Sequence, residues 1–126
     1  MKKTVTIKSN RDFQRLYRRG KSGVSGTVVL YWQKNRWGES RLGITTGTKL
    51  GHAVVRNRVR RQIREIYRLN KEKLVPGRDI IVVARVRAVS AGYHAMERDF
   101  LRTAKKLGLL ADAPKKRPEA EKEKQS

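Results

Sequence analysis

Apolar residues in the first 20 positions follow the spacing of a short amphipathic helix. They are three and four residues apart and therefore share one helical face: Phe13, Leu16 and Tyr17. Ser9 or Asn10 can cap the start of this helix, and Gly20 can end it. The pattern predicts a helix with one apolar face, while arginines occupy much of the remaining surface.

Two stretches of β-branched and aromatic residues come next and predict strands. The first runs from Thr27 to Trp32 and the second from Arg41 to Thr46. The segment between them, residues 33–40, is mostly polar, which is typical of a hairpin loop. We therefore expect these two strands to be neighbours in a sheet.

The second half of the chain predicts a helix, a strand and a further helix. The first of these helices extends from about Gly51 to Glu72, and a turn follows at Pro76-Gly77. Residues 78–84 are continuously apolar after Asp79, as in a central strand. The last helix is expected to begin after Ser90 and to end at Gly108. Its predicted buried stripe is Tyr93, Met96, Phe100, Ala104 and Leu107.

These elements give the order α-β-β-α-β-α, with one more short strand that the pattern does not place. We expect the helices to pack on a single sheet. The tail, residues 112–126, has almost no apolar content and is predicted to be disordered. The chain is therefore interpreted as one domain, residues 1–111, followed by a charged tail.

The helix after Gly51 has two faces of opposite character. At about 100° per residue, its apolar residues share one arc: Val55, Val59, Ile63, Ile66 and Tyr67. The opposite arc is polar and basic: Asn57, Arg60, Arg61, Arg64 and Arg68. Arg56 and Arg58 flank the apolar stripe. Like charges one turn apart weaken an isolated helix by a few tenths of a kcal/mol, so this face indicates an anionic partner.

The net charge of the whole chain supports a polyanionic partner. Lys and Arg number 32 against 11 Asp and Glu, for a formal charge of +21. The tail holds five basic and four acidic residues, so nearly all of this charge belongs to residues 1–111. Binding to phosphates releases condensed counterions, which favours nucleic acid as the partner. A merely soluble basic surface and a membrane-surface role are weaker alternatives, the latter because no basic segment has a broad apolar face.

The sequence contains no cysteine, which excludes disulfides and thiolate-bound zinc. The basic N-terminus has no apolar run behind it, so we expect no signal peptide. No apolar run approaches about 18 residues, so we expect no membrane span. Together these features predict a cytoplasmic protein.

No catalytic constellation is apparent. The acidic residues are scattered, and Glu97 and Asp99 are two apart on a helix, where side chains do not converge. His52 and His94 do not form a metal-ligand motif. No phosphate-binding glycine loop occurs, and the glycines at strand ends and turns are interpreted as structural: Gly43, Gly47 and Gly51. We therefore predict no catalytic residue and no metal ligand.

The aromatic residues of the first helix have two possible roles. Phe13 and Tyr17 share a face, and Tyr31 can lie on the neighbouring sheet surface. Periodicity alone favours a place in the core. A functional alternative is a stacking platform for unpaired bases beside the basic helix.

The segment Gly51–Glu65, with Arg56-Asn57-Arg58 at its centre, resembles the signature of the protein subunit of bacterial ribonuclease P. The resemblance continues through Asp12–Gly20, Arg41–Thr46 and Asp79–Arg85, and it covers roughly residues 8–110. Two positions depart from the usual family pattern. Thr48-Lys49 stands where two lysines are common, and His52 stands where asparagine is common.

The resemblance implies a fold and a function. The fold would be an α/β (α+β) two-layer sandwich of about four strands and three helices, in the order α-β-β-(β)-α-β-α. It would resemble the ribosomal protein S5 domain 2-like fold, with a left-handed crossover through the second helix. The function would be to assist a catalytic RNA subunit in endonucleolytic removal of the 5′ leader from precursor tRNA. The protein would then be a non-catalytic subunit without its own cofactor, and Mg²⁺ would be bound mainly by RNA.

The resemblance also implies two sets of RNA-binding residues. In the family, a cleft between the first helix, the sheet and the second helix receives the leader. The matching positions are Phe13, Tyr17, Val29, Tyr31, Thr45, Arg56, Asn57, Arg60 and Arg64. The positions implied to contact the catalytic RNA are Lys49, Arg58, Arg61 and Arg68.

Two other functions remain open from the residues alone. One is a structural RNA-binding protein, such as a small ribosomal protein, which would share the size and charge. The other is a DNA-binding helix module. It is disfavoured because a recognition helix normally completes a helix-turn-helix, whereas this basic helix lies between two predicted strands.

Overall fold

A computed structural model describes residues 4–111, which form one four-stranded sheet with helices on both faces. The strands are β1 Lys21–Val24, β2 Val28–Lys34, β3 Arg41–Thr45 and β4 Arg78–Ala84. The α-helices are α1 Asn10–Arg19, α2 Ala53–Asn70, α3 Arg87–Ala91 and α4 Tyr93–Lys106. Short 3-10 turns lie at Thr48–Leu50 and Lys71–Lys73. The predicted disordered tail, residues 112–126, lies outside the described residues.

The α/β class and the four-stranded sheet are confirmed. The strand that the sequence pattern did not place is β1, which directly follows α1. Ser9 caps α1 as predicted, because its Oγ accepts hydrogen bonds from the amides of Arg11 (3.1 Å) and Asp12 (3.4 Å). At the other end, the amide of Gly20 donates to the carbonyl of Leu16 (2.8 Å).

The predicted hairpin between β2 and β3 is wrong. The strand order is β1-β2-β4-β3, so β4 lies between them and pairs antiparallel with β2 and parallel with β3. The link from β2 to β3 crosses the start of β4. There the amide of Asn35 donates to the carbonyl of Gly77 (2.9 Å), and Ser40 Oγ accepts from the amide of Arg78 (3.1 Å). The link from β2 to β3 therefore spans roughly 10 Å, the distance between two strands with a third strand between them. The local sequence pattern of such a link is the same as that of a hairpin loop.

β4 is a central strand with a neighbour on each side, as its continuous apolar sequence predicts. Parallel strands need a long crossover connection, and α2 supplies it between β3 and β4. The hand of this crossover stays a prediction.

One face of the sheet, which we call the covered face, packs against α2 and α4. Its buried strand residues are Val28, Leu30, Leu42, Ile80, Val82 and Ala84. The predicted stripe of α2 is buried against them at Val59, Ile63, Ile66 and Tyr67, while Val55 is half-buried. α4 contributes Met96, Phe100 and Ala104 from its predicted stripe. This face therefore holds the main hydrophobic core.

The last predicted helix is interrupted. Ser90 does not cap it but lies within the short helix α3. Gly92 then adopts a φ of 88°, a left-handed conformation that ends α3 and precedes α4. The predicted apolar stripe is nevertheless correct, because Tyr93 and Leu107 pack half-buried at the ends of the buried stretch.

We call the opposite side of the sheet the cleft face. It carries the alternate strand residues Val29, Tyr31, Gly43, Thr45, Ile81 and Val83. α1 packs over it, with Leu16 buried against Ile81 and Ile7. Most of the other apolar side chains on this side are only half-buried. α1 has ten residues, whereas α2 and α4 on the opposite face have eighteen and fourteen. The helices therefore cover the cleft face less completely than the covered face.

Candidate nucleic-acid interface

Three aromatic rings meet on the cleft face. The ring centroids of Tyr17 and Tyr31 are 4.9 Å apart in an edge-to-face arrangement. Those of Phe13 and Tyr17 are 6.3 Å apart. Edge-to-face contacts are favourable between aromatic rings and hold them in place. All three side chains remain partly exposed, so this aromatic cluster has ring surface that another molecule can reach.

Gly43 allows Phe13 to lie directly on β3. A Cβ atom at this position would be 2.7 Å from Cζ and 2.9 Å from Cε1 of Phe13, closer than such atoms approach. The interpretation of Gly43 as a strand-end glycine is therefore wrong, because it lies inside β3 at a contact between backbone and ring. The sequence signal was a glycine between Leu42 and Ile44, in the middle of a predicted strand.

Tyr17 is fixed to the end of β3 by a hydrogen bond of 2.7 Å between its hydroxyl and Thr45 Oγ1. Thr45 is paired with Val83, and Val83 with Val29, so these three residues form one row across the sheet. All three are half-buried. This row is a partly exposed surface of polar and apolar side chains beside the aromatic cluster.

Arg60 connects α2 to the same end of β3. Its guanidinium donates to the carbonyl of Ile44 (3.2 Å) and to Thr46 Oγ1 (2.9 Å). The helical wheel placed Arg60 on the exposed arc, but the structure shows it half-buried against the sheet. Since Tyr17 binds Thr45 and Arg60 binds the residues on either side, the aromatic cluster and the basic helix meet at residues 44–46.

Arg56 lies one turn before Arg60 and is also half-buried. Its Nε atom is buried and has no hydrogen-bond partner within residues 4–111. A buried donor without an acceptor costs roughly 1–3 kcal/mol. Arg56 therefore places a buried donor without a hydrogen-bond partner one helical turn before Arg60.

The outward face of α2 is strongly basic and exposed at Asn57, Arg58, Arg61, Arg64 and Arg68. Arg68 forms a salt bridge with Glu65 at 2.6 Å. This hydrogen-bonded pairing raises the pKa of Arg68 and lowers that of Glu65. Asn57 and Arg64, assigned to the leader cleft by resemblance, have no hydrogen bond to the sheet in the described part of the chain.

Lys49 lies in an open depression of about 540 Å³ at the carboxyl ends of β3 and β4. Two further cations, Arg85 and Arg87, line it together with Thr45 and Val83. Ligands commonly bind at the carboxyl ends of parallel strands. The sequence pattern did not single out either arginine, although both follow closely after β4.

The described residues offer little for metal binding. Among residues 4–111, no group of three or more His, Asp or Glu side chains is placed to hold an ion. Two acidic residues instead form salt bridges with Arg41: Asp12 of α1 at 3.4 Å and Asp79 of β4 at 2.7 Å. The hydrogen bonds that Arg41 donates to the Asp79 carboxylate raise the pKa of Arg41. Nor does any described helix have the length and apolar character needed to cross a membrane.

Comparison with known proteins gives one consistent family. The sequence model of the family described as Ribonuclease P matches residues 1–108. The ribonuclease P protein component of Natranaerobius thermophilus is 42% identical over 110 residues, covering 87% of this chain and 96% of that protein. The component from Clostridioides difficile is 40% identical over 108 residues, covering 85% and 95%.

Solved structures agree in fold. The RNase P protein of Staphylococcus aureus superposes with a TM-score of 0.78 at 34% identity, covering 86% of this chain and all of that one. The RNase P protein from Thermotoga maritima gives a TM-score of 0.73 at 31% identity, covering 80% and 96%. On sequence and fold together, this chain belongs to the ribonuclease P protein family.

Proposed function

We propose that this protein is the protein subunit of ribonuclease P and assists a catalytic RNA in removing the 5′ leader from precursor tRNA. The observation that supports this best is the junction at residues 44–46. There, Tyr17 of the partly exposed aromatic cluster and Arg60 of α2 bind consecutive residues at the end of β3. Proteins hold unpaired RNA by stacking bases on aromatic rings while cations follow the phosphates. A single-stranded leader fits this combination.

The two sides of the basic helix would bind two RNAs. The cleft face, with Arg56 and Arg60 at its edge, would take the leader. The outward face of α2, with Arg58, Arg61 and Arg68, would lie against the catalytic RNA, together with Lys49. Arg68 would then exchange or share its contact with Glu65. The exposed arginines suit phosphate contacts because a guanidinium binds them through two donors.

The chemistry would belong to the RNA. Mg²⁺ supplies charge stabilisation and an activated nucleophile in phosphodiester cleavage. The acidic and histidine side chains of residues 4–111 do not form a ligand set for this ion, so the RNA would hold it. Its own residues bind and orient the substrate. The cytoplasmic location stays a prediction.

A structural RNA-binding role is the second candidate, and reconstitution separates the two. The protein is mixed with a bacterial ribonuclease P RNA, and leader cleavage from a precursor tRNA is measured at low Mg²⁺. We expect faster cleavage than with RNA alone. No gain over the RNA alone would refute the proposed function, whereas simple RNA binding without activation would favour the structural role.

The cleft can be tested by removing its rings. Phe13→Ala combined with Tyr17→Ala should weaken holoenzyme binding of leader-bearing tRNA more than binding of mature tRNA. Each stacked base lost costs roughly 1–3 kcal/mol. Tyr17→Phe is the control that keeps the ring and removes only the hydroxyl. Equal losses for both tRNAs would show that these rings serve the core alone.

A further inference from the structure

Trp37 is the most exposed aromatic residue among residues 4–111, with 67% of its surface accessible. It lies in the link between β2 and β3, which is outside the positions already assigned to RNA. Tryptophan is highly buried on average and is enriched at interfaces, so an exposed tryptophan is a candidate contact residue. Its surroundings indicate which partner it suits.

The link presents Trp37 in a defined position. The amide of Trp37 donates to Asn35 Oδ1 (3.0 Å), and Asn35 Nδ2 donates to Asp79 Oδ1 (2.8 Å) and to the carbonyl of Glu39 (3.0 Å). Gly38 completes the turn with a φ of 75°. Because the backbone is already held, binding to this ring needs little further ordering.

Arg41 lies near the ring of Trp37. Its Cζ is 5.8 Å from the ring centroid, a cation–π distance. Arg41 is itself fixed, since its Nε and Nη2 donate to the two carboxylate oxygens of Asp79 at 2.9 and 2.7 Å. The ring is therefore supported from the sheet and remains largely open to solvent.

The support of Trp37 is continuous with the aromatic cluster. Arg41 also contacts Asp12 of α1 at 3.4 Å, and Phe13 is the next residue of that helix. Arg41, Gly43 and Thr45 alternate along β3 on the cleft face. From Arg41 to Thr45 the strand spans about 13 Å. Trp37 thus lies at one end of the face whose other end is the Tyr17–Thr45 junction.

We propose that Trp37 is a further stacking site for an unpaired base of the leader, one that lies beyond the nucleotides on Phe13 and Tyr17. This inference rests on the proposed function. Lys34 and Arg36 are exposed cations close to Trp37 in sequence, and they suit the flanking phosphates. Glu39 is the one exposed acid in the segment 33–40. A leader too short to pass Phe13 does not reach this site.

Leader length is therefore the test. Holoenzyme containing the wild-type protein, Trp37→Ala or Trp37→Phe is titrated with three tRNAs. One has a leader long enough to pass Phe13, one is truncated to the nucleotides near Tyr17, and one is mature. We expect Trp37→Ala to weaken binding of the long-leader tRNA by roughly tenfold and to leave the other two unchanged. Trp37→Phe should restore part of the loss because it keeps a ring.

The outcomes separate this inference from the proposed function. If the wild-type holoenzyme binds leader-bearing and mature tRNA equally, the proposed function fails. If leader length matters but Trp37→Ala behaves like the wild type, only the role of Trp37 fails. A loss that is equal for all three tRNAs, or weaker assembly with the RNA subunit, would place Trp37 against the catalytic RNA and overturn the inference.

Fluorescence gives a second and direct measurement, since the chain has only two tryptophans. In a Trp32→Phe protein, Trp37 is the remaining reporter. A long single-stranded leader RNA should quench its emission, and a truncated one should not. Quenching that is independent of length would contradict the proposal. The thermal unfolding midpoint of each variant shows whether its fold is intact, which matters for Trp32 because its Nε1 donates to the carbonyl of Leu107 (3.2 Å).

Discussion

The two faces of the sheet are made from the same strands but differ in how they are covered. On the covered face, Leu30, Leu42 and Ile80 are buried almost completely beneath α2 and α4. On the cleft face, their neighbours Val29 and Tyr31 are only half-buried beside α1. One face therefore supplies most of the hydrophobic stabilisation, while the other keeps side chains accessible. Alternate residues of one strand can in this way serve stability and binding separately.

The largest expected effect comes from shortening two adjacent side chains of β2 that lie on opposite faces of the sheet. Leu30→Ala should lower the free energy of unfolding by about 2–5 kcal/mol, because it leaves a cavity in the main core. Val29→Ala should cost less, since that side chain is already half exposed. Urea unfolding of both variants measures the difference. Equal costs would show that the two faces contribute alike to stability.

Gly43 tests how closely α1 must approach the cleft face. Gly43→Ala places a methyl group against the ring of Phe13 and should destabilise the protein by about 1–3 kcal/mol. It should also weaken leader binding, because the ring must move. Gly47→Ala is the matched control, since a Cβ there meets no atom within 4 Å and its φ of −75° is ordinary. If both variants unfold at the same urea concentration, the contact with Phe13 is not a constraint.

Arg60 and Arg64 compare an inward and an outward arginine one turn apart. Arg60→Ala removes two hydrogen bonds to the end of β3 and should cost about 1 kcal/mol of stability. Arg64→Ala, on the exposed face, should change stability by less than about 0.5 kcal/mol. It should instead reduce the log–log salt slope of RNA binding by about one unit. An unchanged slope would show that Arg64 contacts no phosphate.

Tyr67 gives the smallest expected effect at neutral pH. Its hydroxyl is buried on the covered face and has no hydrogen-bond partner within residues 4–111. Tyr67→Phe should therefore change stability by less than about 1 kcal/mol or slightly increase it. A larger loss in urea unfolding would indicate a contact that this hydroxyl makes in solution.

At high pH the stabilities of the wild-type protein and Tyr67→Phe should differ more. Burial raises its pKa to about 12. The unfolded chain loses this proton near pH 10, so the wild-type protein should lose stability as pH rises from about 10 through 12. Tyr67→Phe lacks this component, so its advantage over the wild type should grow in that range. The same pH dependence in both proteins would show that Tyr67 does not cause it.

Local features of the sequence were sufficient for most of the fold. The cap at Ser9, the buried stripe of α2 and the central position of β4 were predicted correctly. Each depends on interactions within a few residues, or on hydrophobicity that follows a regular period. The position of β3 was not predictable in this way. A polar link between two strands has the same pattern whether it forms a hairpin or crosses a third strand that comes much later in the chain.

In the candidate site, too, some features follow from the local sequence and others depend on tertiary packing. The sequence by itself determined the basic face of α2, the shared face of Phe13 and Tyr17, and the family resemblance. Only the tertiary structure decided that Arg60 turns inward to β3, that Gly43 makes room for a ring, and that Trp37 lies near Arg41 at one end of the cleft face. These contacts join residues distant in sequence, so their distances depend on how α1, α2 and β3 pack rather than on the period of any one element.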